Sequence, residues 1–271
     1  MTQILALHSY RGGTGKTNVA GNLAAELVRA GRRVALVDAD IQSPGIHVLF
    51  EVDVDEVNTL NDFLWGRCAI DKVAVDVTHM VARAVPPEEV PRLGHLSLLP
   101  ASLKAVDIAR VVKEGYEVEL LNEGLIALCR SLALDYLILD THPGLNNETL
   151  LSIAISDIAL ILLRPDHQDY QGTAVTMQLA RRLEVPRIVM AVNKVHPDFD
   201  TAVLSERISE TYGAEVGAMI LMSDELVRTG SSGLVSLLYP QIDFSRGVRQ
   251  LAMALERDAS ILPAPADEAG Q

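Results

Sequence analysis

The densest run of residues able to do chemistry is Ser9-Tyr10-Arg11-Gly12-Gly13-Thr14-Gly15-Lys16-Thr17, set between an apolar run and a stretch of helical periodicity. Strand, glycine-rich loop and helix in that order form a setting in which a backbone can cradle phosphate. Gly12, Gly13 and Gly15, with Thr14 among them, let the chain curl so that its N–H groups converge on anionic oxygens. The start of the helix adds partial positive charge. Lys16 has the reach and charge for β- and γ-phosphates, and the Thr17 hydroxyl would coordinate Mg²⁺. The bland alternative is a tight turn with an exposed lysine; the flanking strand and helix argue against it.

Carboxylates stand where such a loop needs them. Asp140 closes the apolar run Tyr136-Leu137-Ile138-Leu139, and at the carboxyl rim of a parallel sheet an acid can hold a water of Mg²⁺. Asp38 and Asp40 lie two residues apart at the end of another apolar run, so they start on the same side of the chain. Asn193 ends a third run, and its amide can both donate to and accept from the N7/N6 edge of adenine. A guanine site of the Asn-Lys-x-Asp kind needs an acid two residues after Lys194, where this chain has His196. ATP is therefore expected rather than GTP. Ordinary loop, cap or turn residues remain the alternative for each of these positions.

The elements that must position them are legible as alternating runs. Strands are expected at 4–8, 34–37, 96–99, 136–139, 158–163, 188–192 and 216–221, and the clearest helices at 16–30, 117–132, 169–183, 201–212 and 244–257, with Gly31 closing the first. This is the βαβ pattern of an α/β fold, a doubly wound, mostly parallel sheet with helices on both faces. One domain is expected over 1–261, with an elaborated loop near 51–95 that is acidic, proline-bearing and holds a short helix around Trp65. An Ala/Pro/acid-rich frayed tail is expected at 262–271.

Composition narrows the class. With 271 residues, 49% hydrophobic and 22% charged, the chain has material for a large core and is neither fibrous nor low-complexity. No apolar run approaches the roughly 20 residues that span a bilayer, and the first residues enter a strand pattern with no basic leader, so a cytosolic location is expected. Cys68 and Cys129 are too far apart for a Cys-x-x-Cys site, Cys129 falls among core-type leucines, and His79 and His95 have no metal-ligand spacing. A net charge of -13 repels phosphate backbones. DNA binding would need a local patch, for which Arg246, Arg249 and Arg257, opposite Val248, Leu251, Ala252 and Leu255 on one helix, are the candidates; a solvated arginine face is the simpler reading.

The phosphate loop departs from Gly-x4-Gly-Lys-[Ser/Thr], because Tyr10 takes the place of the first glycine. What remains resembles the deviant Walker A loop of the ParA/MinD family of partitioning and positioning ATPases, and the resemblance runs on. The stretch from Val37 to Gly45 resembles that family's switch I, Leu139-Asp140-Thr141-His142-Pro143-Gly144 its Walker B and switch II, and Leu98-Leu99-Pro100-Ala101 and Asn193-Lys194 two of its strand ends.

The resemblance implies a P-loop NTPase fold and a slow, partner-stimulated Mg²⁺-dependent ATPase that forms a homodimer around ATP and positions or partitions a cellular cargo through a protein partner. It implies Lys16, Asp40 and Arg11 as catalytic residues, with Asp40 orienting the attacking water. Thr17, Asp38 and Asp140 would serve the metal, and Gly12, Gly13, Thr14, Gly15, Lys16, Thr17 and Asn193 the nucleotide. Arg11 stands where the family has the lysine that reaches the partner's active site; it keeps the charge but changes the geometry. His142 replaces a proline and is expected to be a spectator of the switch loop. Relatives that bind membranes through a basic terminal helix are not matched by 262–271, which holds no lysine or arginine. A non-hydrolysing nucleotide-binding adaptor and a carrier or synthetase relative are the rival readings.

Overall fold

Strands buried on both faces have no solvent side and read as continuous apolar runs rather than alternating ones. The computed structural model, which describes residues 2–230 and 232–257, forms the seven expected runs into strands and adds one. The strands are β1 (Gln3–His8), β2 (Arg33–Asp38), β3 (Val75–Asp76), β4 (His95–Leu99), β5 (Tyr136–Asp140), β6 (Ile158–Leu163), β7 (Arg187–Val195) and β8 (Glu215–Leu221). Their order in the sheet is β3-β4-β2-β5-β1-β6-β7-β8. Every neighbouring pair is parallel except β3 on β4 at the edge, where Val75 faces Leu98.

The helices of eight residues or more are α1 (Lys16–Arg29), α2 (Ala105–Glu114), α3 (Val118–Ser131), α4 (Asn147–Ala154), α5 (His167–Arg182), α6 (Thr201–Tyr212) and α7 (Asp243–Glu256). Along β1, Leu5 and Leu7 point to one face and Ala6 to the other, and each face has its own helices. α1 and α7 cover Leu5, Leu7, Leu36 and Ile220. On the opposite face α3 covers Val37, Leu137 and Leu139, while α5 and α6 cover Ala6, Ile161 and Val192.

Helix ends follow their local signals. Gly31, at φ +87°, closes α1: its N–H donates to Val28 O at 2.9 Å while Arg32 N donates to Leu27 O at 3.0 Å, the paired bonds of a Schellman end. α5 begins two residues before its expected start because the Asp166 carboxylate caps it, accepting from Gln168 N and Asp169 N. Near 51–95, where an elaborated loop with a short helix around Trp65 is expected, the chain has local secondary structure. It holds the helical turns Leu60–Leu64 and Thr78–Ala82 as well as β3. Trp65, at the end of the first turn, lies under the Arg67 and Arg110 guanidiniums, 5.2 and 4.6 Å from its ring centre.

Of the arginine stripe, Arg246 and Arg257 stay exposed. Val248, Leu251, Ala252 and Leu255 are buried as expected. Arg249, however, turns toward α1, with Nε 3.6 Å from buried Glu26, and Arg246 lies 3.3 Å from Asp243. The tail at 262–271 and the end of the 1–261 unit lie outside the described residues. Among the described residues no helix is long and apolar enough to cross a membrane.

The chain passes from β1 to β2 on one side of the sheet and later to β6 on the other, so the reversal of direction falls at β1. Crevices at such reversals, beyond the carboxyl ends of the strands, are where ligands bind in open α/β sheets. The loop that leaves β1 is the glycine-rich one.

Candidate nucleotide site

Ser9 follows β1 and is fully buried. Its hydroxyl donates to Arg11 O at 2.7 Å and accepts from Thr14 Oγ1 at 3.0 Å and from Lys16 Nζ at 3.3 Å, so a single oxygen ties both ends of the loop together. Gly13 and Gly15 hold φ values of +74° and +96°. A Cβ on Gly15 would stand 2.6 Å from Asn193 Nδ2, so the position combines left-handed backbone with close approach. Gly15 is also the N-cap of α1 and brings no side chain to its first-turn N–H groups, which leaves them to an anion.

The loop is braced from outside. Asn193 Nδ2 donates to Thr14 O at 2.7 Å and Lys194 Nζ to Gly13 O at 2.8 Å, both from the end of β7, where Lys194 takes a φ of +58°. In this arrangement the Asn193 amide grips the loop. Beyond β7 and β8 lies a cleft lined by His196, Pro197, Met222, Ser223 and Asp224. On the α5 side, the Tyr10 ring packs so closely on Gly172 that a Cβ there would sit 1.9 Å from it, and the Arg11 guanidinium donates to Gln168 Oε1 one turn earlier. Tyr10, which breaks the stricter loop pattern, is thus an anchor for the loop.

The acids come from the other half of the sheet. Asp38 and Asp140 sit opposite each other in the β2–β5 register. Asp140 Oδ2 accepts from Thr17 Oγ1 at 2.8 Å, and Asp38 Oδ2 accepts from Gly45 N at 2.9 Å and Ile46 N at 3.1 Å; Oδ1 of each is buried without a partner. Burial pushes the Asp140 carboxyl up to about 6 against the pull of Lys16 and the Thr17 hydroxyl. Burial, with Asp140 adding to it, raises Asp38 well above the carboxylate range. Lys16 is displaced the other way by its own burial, opposed by Asp140 and Asp40.

Two partnerless carboxylate oxygens beside a buried ammonium and a hydroxyl form a set of hard donors that suits a divalent cation. Among the described residues no group of three or more His, Cys, Asp or Glu closes a cage. The donors therefore fit a Mg²⁺ held largely by phosphate oxygens and water, with few protein ligands. Asp40 is half-buried, and its Oδ1 accepts from Ser43 N at 3.2 Å and Ser43 Oγ at 2.9 Å.

The sequence places Ser9 and Lys194 in motifs without marking one as a hub or the other as a brace, and it carries no signal for Gln168 or His8. The His8 ring is fully buried, with Nδ1 2.9 Å from Thr141 Oγ1. Thr141 spends its proton on Leu7 O at 3.0 Å, so His8 Nδ1 must be the donor. Burial holds this imidazole down at about 3, and it stays neutral. Glu148, at the start of α4, is pushed up by burial and by Asp40, and lies close to His142 and Gln42.

Residues 5–237 match the CobQ/CobB/MinD/ParA nucleotide binding domain. The septum site-determining protein MinD of Synechocystis sp. is 27% identical over 199 residues, 73% of this chain and 66% of that protein, so the match spans just under two thirds of that relative. An uncharacterised ATP-binding protein of Methanocaldococcus jannaschii is 26% identical over 257 residues, 94% of this chain and 88% of its own length. Among solved structures, the septum site-determining protein MinD of Pyrococcus horikoshii, complexed with Mg-ADP, superposes with a TM-score of 0.76 at 20% identity, covering 95% of this chain and 97% of that one. The fold is that of the MinD/ParA P-loop NTPases.

Proposed function

The chain belongs to the CobQ/CobB/MinD/ParA nucleotide-binding domain family, and on that footing we propose that it is a Mg²⁺-dependent ATPase that hydrolyses slowly and works as a nucleotide-switched homodimer in positioning or partitioning a cellular cargo. The observation that carries the reading is the junction of loop and acids. Lys16 and Thr17 leave the phosphate loop beside Asp140, whose second oxygen is buried and unclaimed. Binding is assigned to the N–H groups of Gly12 to Thr17, with the Lys16 ammonium on the terminal phosphates, and Asn193 and Lys194 hold the loop in its curled form.

Thr17 and Asp140, with Asp38 behind them, are the residues that would hold Mg²⁺, which when bound neutralises charge on the phosphate oxygens. Asp40 is assigned the orientation of the attacking water. Arg11 is assigned to the partner's phosphates in the ATP-bound dimer, in the manner of an arginine finger; in the single chain it is occupied by Gln168 and must leave it to cross. The structure of a MinC:MinD complex from Aquifex aeolicus is that of a related fold bound to a protein partner, and a partner of its own is proposed for this chain.

The test is nucleotide binding and turnover by wild type and Lys16→Ala. Loss of a charge-assisted contact is worth about 1.5–3 kcal/mol, so ATP affinity measured by calorimetry should fall roughly ten- to a hundredfold. Unchanged affinity removes the phosphate-loop assignment, and a wild-type protein that binds Mg²⁺-ATP without releasing phosphate, at any protein concentration, leaves the adaptor reading in its place.

A further inference from the structure

His142 follows switch II's Asp140 by two residues, and its ring is fixed at one end. Nδ1 lies 2.6 Å from Pro143 O, and a carbonyl only accepts, so the ring proton sits on Nδ1. In the neutral ring Nε2 then carries a bare lone pair. Nε2 lies 4.0 Å from Asp40 Oδ1, too far for a direct hydrogen bond, and in this tautomer both atoms are acceptors. A water molecule that donates both its hydrogens spans acceptors about 4–4.5 Å apart, given hydrogen bonds of about 2.7–2.8 Å.

Both groups are held in place. Ser43 fixes Asp40 through two hydrogen bonds, and the Thr149 hydroxyl donates to His142 O at 3.2 Å. The residues after His142 pack against the phosphate loop. Gly144 N donates to Ser9 O at 3.2 Å, a Cβ on Gly12 would meet the Pro143 ring at 3.8 Å, and Asp40 is near enough to Lys16 to act on its ammonium.

We propose that His142 is a second acceptor for the hydrolytic water, sharing its orientation with Asp40. This rests on the ATPase reading above. A water that donates to Nε2 and to the Asp40 carboxylate has its oxygen lone pairs free and turned away from both. That oxygen forms the new bond to the γ-phosphorus, the bridging P–O bond breaks, and its electron pair leaves with ADP. One water proton stays on the product phosphate and the other is taken by the Asp40 carboxylate and released to solvent. His142 contributes a hydrogen-bond acceptor through Nε2.

The test uses the full chain, saturating Mg²⁺-ATP and three substitutions. Gln places an acceptor where Nε2 stands, Asn mimics only the Nδ1 end, and Leu fills the volume with neither. His142→Leu and His142→Asn should lose turnover at least tenfold, while His142→Gln stays within about threefold of wild type and ATP affinity changes less than twofold in all three. A Leu variant with wild-type turnover, or an Asn variant that outperforms Gln, overturns the assignment, since the second result makes the Pro143 bond the part that matters. Asp40→Ala in parallel separates the two claims: if it abolishes phosphate release while the His142 variants do not, the ATPase reading stands and the histidine falls. If wild type releases no phosphate, both fall.

Discussion

Replacing Asp140 by Asn should make the ligand-free protein more stable at neutral pH and worse at its task. The carboxyl is buried between β1 and β2 and held up at about 6, against an ordinary 3.8. The folded state therefore binds its proton more tightly than the unfolded state does, and ionising it opposes folding. The penalty is absent below about pH 4, grows between pH 4 and 6 and is complete above about pH 7. At about 1.4 kcal/mol for each tenfold change in proton affinity it amounts to about 3 kcal/mol, with the attraction to Lys16 already included. Asn keeps the shape and an oxygen for the Thr17 hydroxyl but carries no charge. Asp140→Asn should raise the urea midpoint by about 1 M at pH 8, taking a slope of about 3 kcal/mol per molar for a chain of this size, and the gain should shrink toward zero near pH 4. Added Mg²⁺-ATP should reverse the order, because only the wild type gains a cation ligand. A variant less stable than wild type at pH 8, or one with the same advantage at both pH values, refutes the claim that an unsatisfied charge is stored at this position.

Two further outcomes follow from the loop's braces. Arg11→Ala should lower ATP-dependent dimerisation and turnover together while leaving monomer ATP affinity within about twofold, and Arg11→Lys should retain or raise both; sedimentation and phosphate release across protein concentration decide this, and an unaffected alanine variant rules out action across a dimer. Gly172→Ala drives a methyl into the Tyr10 ring, so it should cost about 1–3 kcal/mol of stability through overpacking and weaken ATP binding about tenfold; unchanged affinity by calorimetry would mean that the ring does not anchor the loop.

The sheet was legible because its strands are long, apolar and set apart by amphipathic helices, and the loop because its glycines and Lys16 are contiguous. Contacts made across the chain were not. Asn193 and Thr14 are 179 residues apart, Arg11 and Gln168 157, and no local pattern marks either pair. β3 escaped because two residues show no periodicity. On a helical wheel Arg249 lies opposite the apolar face of its helix, but the wheel does not contain α1, whose buried Glu26 draws the guanidinium inward. His142 was readable as a departure from a motif, and what it faces depends on where switch I folds. The acids were readable as acids; that burial displaces two of them upward follows only from their adjacent places in β2 and β5.

The braces and the acids stand on opposite flanks of β1. The side-chain braces on the loop (Asn193 and Lys194 on β7, Gln168 and Gly172 on α5) belong to the half of the sheet that follows β5, whereas Asp38, Asp40 and Asp140 belong to the half from β2 to β5. β1 is a seam between a half that grips and a half that acts. Substitutions should then sort by flank rather than by distance from the loop, those on the β6–β8 side altering how tightly nucleotide is held and those on the β2–β5 side altering what becomes of it. In such a division of labour, drift on one flank leaves the other's task intact, so a lineage can keep its hold on nucleotide while it retunes the clock that the nucleotide drives.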